Sequence, residues 1–405
     1  MSPQPIYLDY NATTPVDPQV RDAMLPFLDN HYGNPSSTHS YGQKVSRAID
    51  QARKQTASLI QASTPEIIFT SGGSESNNHA LQGILLPALR AWHAGETDEP
   101  PHVITTTIEH PAIHEPCEFL RQMGVRLTVL PVDPVGMVDP ESVRNAIVRT
   151  PNTRLVSVMH ANNEVGSIEP ISQIADICHE YKVLVHTDAA QTIGKIPVRV
   201  KDLDVDLLTI AGHKVYAPKG IGVLYVKQGV SLSPLIHGAG HESGRRAGTE
   251  NVPYIVALGK ACELAEEYLT TQPQKAQQLR DRLWTRLQES LGEDLTLNGD
   301  PKQRLPNTLN VNFAGIAGQQ LLEETPQIAA STGSACHAGK VTLSPVLEAM
   351  GVTSEKGRGA VRLSVGRFSD EEQIDLAAKR LLATARNLKK TRLGRLWNQL
   401  TQNDS

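Results

Sequence analysis

The sequence predicts an α/β protein: a sheet covered by helices on both faces, followed by a smaller α+β domain. Three observations carry this reading. Seven short β-rich runs stand at 67–71, 102–107, 126–131, 155–160, 183–187, 206–210 and 222–226. Most are continuous Val/Ile/Leu/Thr runs, the pattern of strands buried on both faces. Helical stretches such as 143–148 and 171–181 fall between several of them, and strand, helix, strand in succession builds an α/β sheet. After about Val252 the texture changes. Two long amphipathic helical patterns, 255–269 and 274–291, lead to strand candidates at 308–313 and 361–365 and a closing helix from about Asp370.

The length, 405 residues, suits one large domain plus a smaller one and is ample for a dry core without staples. Apolar residues at 39% and charged residues at 20% exclude a disordered chain. Lys and Arg total 39 against 43 Asp and Glu, a net charge of −4 that argues against a nucleic-acid partner. The basic run 389–395 reads as a solvated helix end. No run approaches the roughly 18 apolar residues of a membrane span, and residues 1–10 show no basic stretch followed by an apolar one. Four cysteines, Cys117, Cys178, Cys262 and Cys336, form no CxxC pair. They make neither a zinc site nor a disulfide scaffold, so the expected compartment is reducing and cytoplasmic.

Three features fall at the ends of expected strands, where open α/β sheets place ligands. In Thr70-Ser71-Gly72-Gly73-Ser74-Glu75-Ser76-Asn77-Asn78 a strand gives way to two glycines and a helix start. Free N–H groups with hydroxyls beside them make a phosphate cradle there, or an ordinary capped helix. In Val185-His186-Thr187-Asp188 an apolar strand delivers a carboxylate, either a partner for a protonated ring nitrogen or a turn residue. In Ile210-Ala211-Gly212-His213-Lys214 a lysine follows a strand at once, placed to form a Schiff base or simply exposed. Each feature is weak alone. Together they supply the parts of a pyridoxal phosphate site.

The chain also resembles the class V aminotransferase superfamily, and within it the cysteine desulfurases and selenocysteine lyases. The resemblance rests on Leu8-Asp9-Tyr10-Asn11-Ala12-Thr13-Thr14-Pro15, Gly33-Asn34-Pro35-Ser36-Ser37 and Ala161-Asn162-Asn163-Glu164-Val165-Gly166. It continues through Gly248-Thr249-Glu250-Asn251, Gly333-Ser334-Ala335-Cys336 and Arg362-Leu363-Ser364-Val365-Gly366-Arg367. It implies fold-type I with a mostly parallel seven-stranded sheet, a large domain over 15–255, and a small domain built from 1–14 and 256–405. By the same resemblance Lys214 would form the Schiff base with pyridoxal 5'-phosphate and move the substrate Cα proton. Asp188 would pair with the ring nitrogen, and His110 would stack on the ring and share in proton transfer. Asn162 and Gln191 would contact the ring oxygen region. Gly73, Ser74 and His213 would hold the phosphate, and Thr249 would reach it across a homodimer interface. Arg362 would grip the substrate carboxylate with help from Asn34.

Cys336 separates the candidate reactions. Its neighbours Ser331-Thr332-Gly333-Ser334-Ala335 and His337-Ala338-Gly339 suggest an exposed loop, whereas the other three cysteines fall in helical, partly apolar patterns. An exposed thiolate can take sulfur from a bound substrate as a persulfide. The expected activity is conversion of L-cysteine to L-alanine, with the sulfur passed to a protein acceptor such as an iron–sulfur scaffold. The alternatives are a selenocysteine lyase, an eliminating C–S lyase, an aminotransferase or a non-catalytic homologue. One departure favours the selenium branch: Ala211 stands where desulfurases commonly carry a phosphate-binding Ser or Thr. No metal is expected, since Pro111 interrupts the His110–His114 spacing.

Overall fold

The structure, a computed structural model, describes residues 4–332, 336–337, 340–341 and 343–402, with backbone alone for 336–337, 340–341 and 391–402. Its centre is a seven-stranded sheet of β1 (Ile67–Thr70), β2 (His102–Thr106), β3 (Arg126–Leu130), β4 (Thr153–Ser157), β5 (Leu184–Asp188), β6 (Leu207–Ala211) and β7 (Gly222–Val226). All seven expected runs are strands of this one sheet. The order is β1-β7-β6-β5-β4-β2-β3, and only β7 runs antiparallel to its neighbours. β1, β2, β6 and β7 are buried along their whole length, as their unbroken apolar runs require. β3 departs from the pattern: it is the edge strand and carries exposed Arg126 and Val129.

Helices cover both faces. α3 (Gly73–His93) and α4 (Pro111–Gln122) pack on one side through Leu81, Leu85, Ile113, Cys117 and Leu120. α1 (Pro18–Asp29), α2 (Ser40–Leu59), α5 (Pro140–Arg149), α6 (Ile171–Glu180) and α7 (Val252–Tyr268) cover the other. The stripe Val45, Ile49, Ala52 and Thr56 recurs at helical spacing and faces α7. At their closest approach a Cβ on Gly259 would lie 2.5 Å from the Ala52 Cα, so only glycine fits. Ile255, Leu258, Cys262 and Ala265 bury into this first core. The expected boundary at 255 therefore cuts a helix that belongs entirely to the large unit, and the second unit begins after it.

The second core joins a three-stranded antiparallel sheet, β8 (Leu295–Asn298), β9 (Thr308–Phe313) and β10 (Ala360–Ser364), to α8 (Gln272–Leu291) and α9 (Glu371–Gln402). β8 has only four residues, too few for its periodicity to be read. The N-terminal segment belongs here as well: Ile6–Tyr7 pairs in parallel with Ile328–Ala329, and Leu8 is buried in this core. The two units meet where Ile108, Met159 and Val165 pack on Val346, Leu347, Met350 and Ala360. That contact lies beside the C-terminal ends of β2 and β4, so a site at those ends draws residues from both units.

Candidate active site

A cavity of about 390 Å³ opens at these strand ends, a size that suits a cofactor-sized molecule. Gly73, Ser74, His110, Asp188, Gln191, His213, Lys214 and Arg362, eight of the expected residues, line it. Local structure explains each placement. Asp188 is the last residue of β5, almost wholly buried, and its Oδ1 accepts the Ala190 N–H at 2.9 Å. Lys214 lies in the short 3-10 turn directly after β6. Gly73 and Ser74 open α3, whose first N–H groups have no acceptor within the helix. His110 caps α4, with Pro111 fixing the first turn.

The Lys214 amine donates to the carbonyls of Asn11 and Ala12 at 2.5 and 2.7 Å. Burial, and next the Arg362 charge, bring its pKa down to about 8, against the opposing pull of Asp188 and Asp9. About a tenth of the amine is then free at pH 7, far more than for an ordinary lysine. Nδ1 of His110 accepts the Ala112 N–H at 3.1 Å, so the neutral ring carries its proton on Nε2. Burial lowers its pKa, opposed by Asp188 and assisted by Lys214. His213 contacts the Thr13 hydroxyl at 3.1 Å, and burial followed by the Lys214 charge lowers its pKa to about 4. Both imidazoles are neutral donors at physiological pH.

Arg362 sits on β10 with its side chain nearly buried. One terminal nitrogen donates to Asp9 Oδ1 at 2.8 Å and the other to the Asn163 carbonyl at 3.1 Å, while Nε is buried without a partner among the described residues. A guanidinium held this way is fixed in orientation and retains capacity for a carboxylate. A second, more open cavity of about 540 Å³ shares His110, Asn163 and Arg362 with the first and reaches outward past Ser331 and Thr332.

Two expected residues lie elsewhere, and a third is replaced by its neighbour. Asn162 is not in the wall: its Oδ1 accepts the Glu164 and Val165 N–H groups and its Nδ2 donates to the Ile108 carbonyl. These bonds build the turn that turns Asn163 into the cavity instead. Asn34 is exposed and bonds the Ser36 N–H at 2.9 Å. It lines a separate depression with Thr249, to which Arg362 does not contribute. Within one chain Asp9 and the Asn163 carbonyl, not Asn34, hold Arg362. Thr249 also borders Ser71, just before the cradle, on the outer side of the chain. The Cys336 side chain lies outside the described residues; the backbone of Cys336–His337 pairs antiparallel with Lys340–Val341.

Sequence reasoning missed Asn77 and gave Asn11 no role. Asn77, one turn into α3, donates to Asp188 Oδ2 at 2.8 Å and fixes the carboxylate. Its signal was its place in the quoted Gly72–Asn78 stretch. Asn11 uses every polar atom it has, and no local pattern reports that. The methyl of Ala211 faces Gly73: a Cβ there would come within 3.2 Å of it. The cradle end of the cavity is thus walled by a methyl where a hydroxyl was expected in the family.

Beneath the site two carboxyls are buried. Glu109 accepts the Thr106 hydroxyl and the Met159 N–H through Oε1, and Glu169 accepts the Val138 N–H through Oε2. Their other oxygens are buried without partners among the described residues. Burial pushes each pKa up to about 8. The folded chain therefore binds protons that the unfolded chain releases above about 4.5, and stability falls as pH rises from there toward 8. Glu109→Gln is expected to shrink the drop in Tm between roughly pH 6 and pH 8 by a few degrees. Thermal melts of both proteins at the two pH values test this, and equal drops would contradict it.

A family model for aminotransferase class-V matches residues 6–376. The chain is 44% identical over 372 residues to a cysteine desulfurase IscS of Dictyoglomus turgidum, covering 91% of this chain and 92% of that protein. It is 41% identical over 400 residues to a human cysteine desulfurase, covering 98% and 85%. Among solved structures, a NifS-like protein superimposes with a TM-score of 0.84 at 36% identity, over 94% of this chain and 99% of that one. The protein SspA, solved in complex with cysteine, gives 0.77 at 36% identity, over 90% and 99%.

Proposed function

The chain belongs to the class-V aminotransferase family, and from that premise we infer that it is a pyridoxal-phosphate-dependent cysteine desulfurase. The observation that carries the reading is the convergence of the Lys214 amine, the Asp188 carboxylate and the Arg362 guanidinium on one cavity. The cavity fits pyridoxal phosphate. One end offers the α3 N-terminus, the Ser74 hydroxyl and neutral His213 to a phosphate, and the other offers Asp188 to a protonated ring nitrogen. A Cβ at position 73 would press on the Ala211 methyl at 3.2 Å, so glycine lets the start of α3 lie close against β6.

When bound, pyridoxal phosphate would supply an electron sink for the substrate's Cα. The remaining work belongs to the chain. Arg362, steadied by Asp9, orients the substrate carboxylate. Lys214, partly unprotonated, takes the Cα proton and returns it. Neutral His110, with its proton on Nε2, donates to a developing negative charge in the cavity. Asp188, locked by Asn77 and the Ala190 N–H, would pair with the ring nitrogen.

The sulfur goes to Cys336. Its thiolate attacks the substrate sulfur, an S–S bond forms, and the Cβ–S bond breaks with its electron pair left on carbon. Protonation at Cβ and Cα then yields alanine. Both ends of the segment bearing Cys336 are tied beside Arg362. Ser331 Oγ donates to Asp9 Oδ2 at 2.9 Å, and Ser344 Oγ donates to Glu164 Oε2 at 2.5 Å.

Arg362→Gln is expected to raise the KM for cysteine on the order of 10²-fold, the loss of two charge-assisted bonds. The cofactor's visible band should persist, and steady-state kinetics with an absorbance spectrum check both. The reading extends to a homodimer, supported by the shared depression of Asn34 and Thr249 and by neighbouring Leu28 and Tyr32, both exposed. Light scattering should return twice the chain mass. On the resemblance alone it extends further to an iron–sulfur scaffold as acceptor and a cytoplasmic setting. The test of the central reading is a paired assay with L-cysteine and L-selenocysteine, quantifying alanine with sulfide or selenide. Inert cysteine beside rapid selenocysteine turnover would make the protein a selenocysteine lyase. Pyruvate with ammonia would make it an eliminating lyase.

A further inference from the structure

Lys195 is a second lysine at the site, and the chemistry above gives it nothing to do. It stands four residues beyond Gln191, on the run of turns after β5. Its amine donates to Gln191 Oε1 at 2.7 Å and to Asn11 Oδ1 at 3.2 Å. Among the described residues no carboxylate pairs with it. Burial and the charges of Lys214 and Arg362 pull its pKa well below that of an ordinary lysine. A cation set among cations without a counter-ion is a costly arrangement.

Its two contacts decide the orientation of two amides. A side-chain amide has nearly the same shape either way round, and only its partners fix which end is oxygen. With Oε1 of Gln191 turned to Lys195, Nε2 donates to the Asn11 carbonyl at 3.0 Å. That same carbonyl receives the Lys214 amine. With Oδ1 of Asn11 turned to Lys195 and Asn307, its Nδ2 donates to the Thr308 hydroxyl and the Asn163 carbonyl. The Asn163 carbonyl in turn accepts Arg362. One amine thus sets two side chains that border the cavity and touch the supports of both Lys214 and Arg362.

We propose that Lys195 is a positioning residue for the cysteine reaction: it locks Gln191 and Asn11 in the one arrangement in which Gln191 Nε2 braces the Asn11 carbonyl that seats Lys214. The proposal rests on the desulfurase reading. Another cavity, narrow and walled by Lys195, Tyr216 and Arg367 from the two units, shares only Lys214 with the first. The Lys195 stem therefore reaches the amides from behind the wall and does not enter the substrate's space.

The test compares Lys195→Met, which keeps the stem and removes the donor, with Lys195→Arg, which keeps a donor-only cation. Each holoenzyme is measured for Tm, for the Kd of pyridoxal phosphate by equilibrium dialysis, and for kcat and KM with L-cysteine. The methionine variant is expected to melt as a folded protein, with kcat down and cofactor Kd up by about tenfold or more. Its KM should stay within about threefold, because the Arg362 contacts to Asp9 and Asn163 survive. The arginine variant should recover a large part of both losses. Unchanged kcat and Kd in a folded methionine variant would overturn the proposal, as would an arginine variant no better than methionine. Should the methionine variant fail to fold, Lys195→Gln, whose amide can accept as well as donate, is judged by the same criteria. Wild type that binds no pyridoxal phosphate would instead sink the desulfurase reading, and this proposal with it.

Discussion

Lys214→Ala is expected to lower cysteine turnover by at least ~10⁴-fold, since both the attachment point and the Cα base are lost. No other amine replaces it. Lys195, the nearest candidate, is committed to Gln191 and Asn11. The variant should still fold. It leaves the Asn11 and Ala12 carbonyls without their lysine donor at a cost of about 1–3 kcal/mol, while both cores are untouched. It should also retain cofactor non-covalently, because Ser74, His213, Asp188 and Asn77 remain. Borohydride should therefore fix the cofactor to wild type and not to the variant. Alanine production gives the main readout, and turnover within tenfold of wild type would remove Lys214 from its role.

Cys336→Ala is expected to abolish sulfur transfer from cysteine while leaving the cofactor's visible band intact. The loss should be complete because the other thiols cannot substitute. Cys117, Cys178 and Cys262 are free and buried in the cores of the large unit, and burial pushes each pKa to about 12. Near neutral pH almost none of any of them is thiolate, the form that attacks sulfur. Their expected inertness follows from the same packing that places them. Mass spectrometry of wild type after one cysteine equivalent should find one added sulfur, on Cys336 alone. A persulfide on another cysteine, or full activity in the variant, would refute the assignment.

The large sheet was legible because its strands announce themselves twice, by unbroken apolar runs and by helices between them. The edge strand β3 was found despite its exposed face because its neighbours in sequence fix the alternation. The chemistry at the strand ends was legible for a related reason. A residue that ends a buried parallel strand has little choice of place, so Asp188 and Lys214 fall where the pattern puts them. Arg362 needed the resemblance, since nothing local marks a strand arginine as facing a cavity in the other unit.

The sequence by itself determined the α/β class, the seven central strands and the placing of Asp188 and Lys214 at strand ends, while His110 and Arg362 came with the family resemblance. Tertiary structure alone decided which of two adjacent asparagines enters the wall, where Asn34 lies, and to which unit the helix at 252–268 belongs. It also decided the work of Asn11 and Lys195. The physical reason is range. Periodicity and strand ends report each residue's own burial and backbone preference, which neighbours within a few positions set. The facing of an amide is set by partners far along the chain: the Asn11 amide is held by Lys195, Asn307 and Thr308, separated from it by 184, 296 and 297 positions. Those contacts exist only once the N-terminal segment has crossed from the small unit into the mouth of the large one.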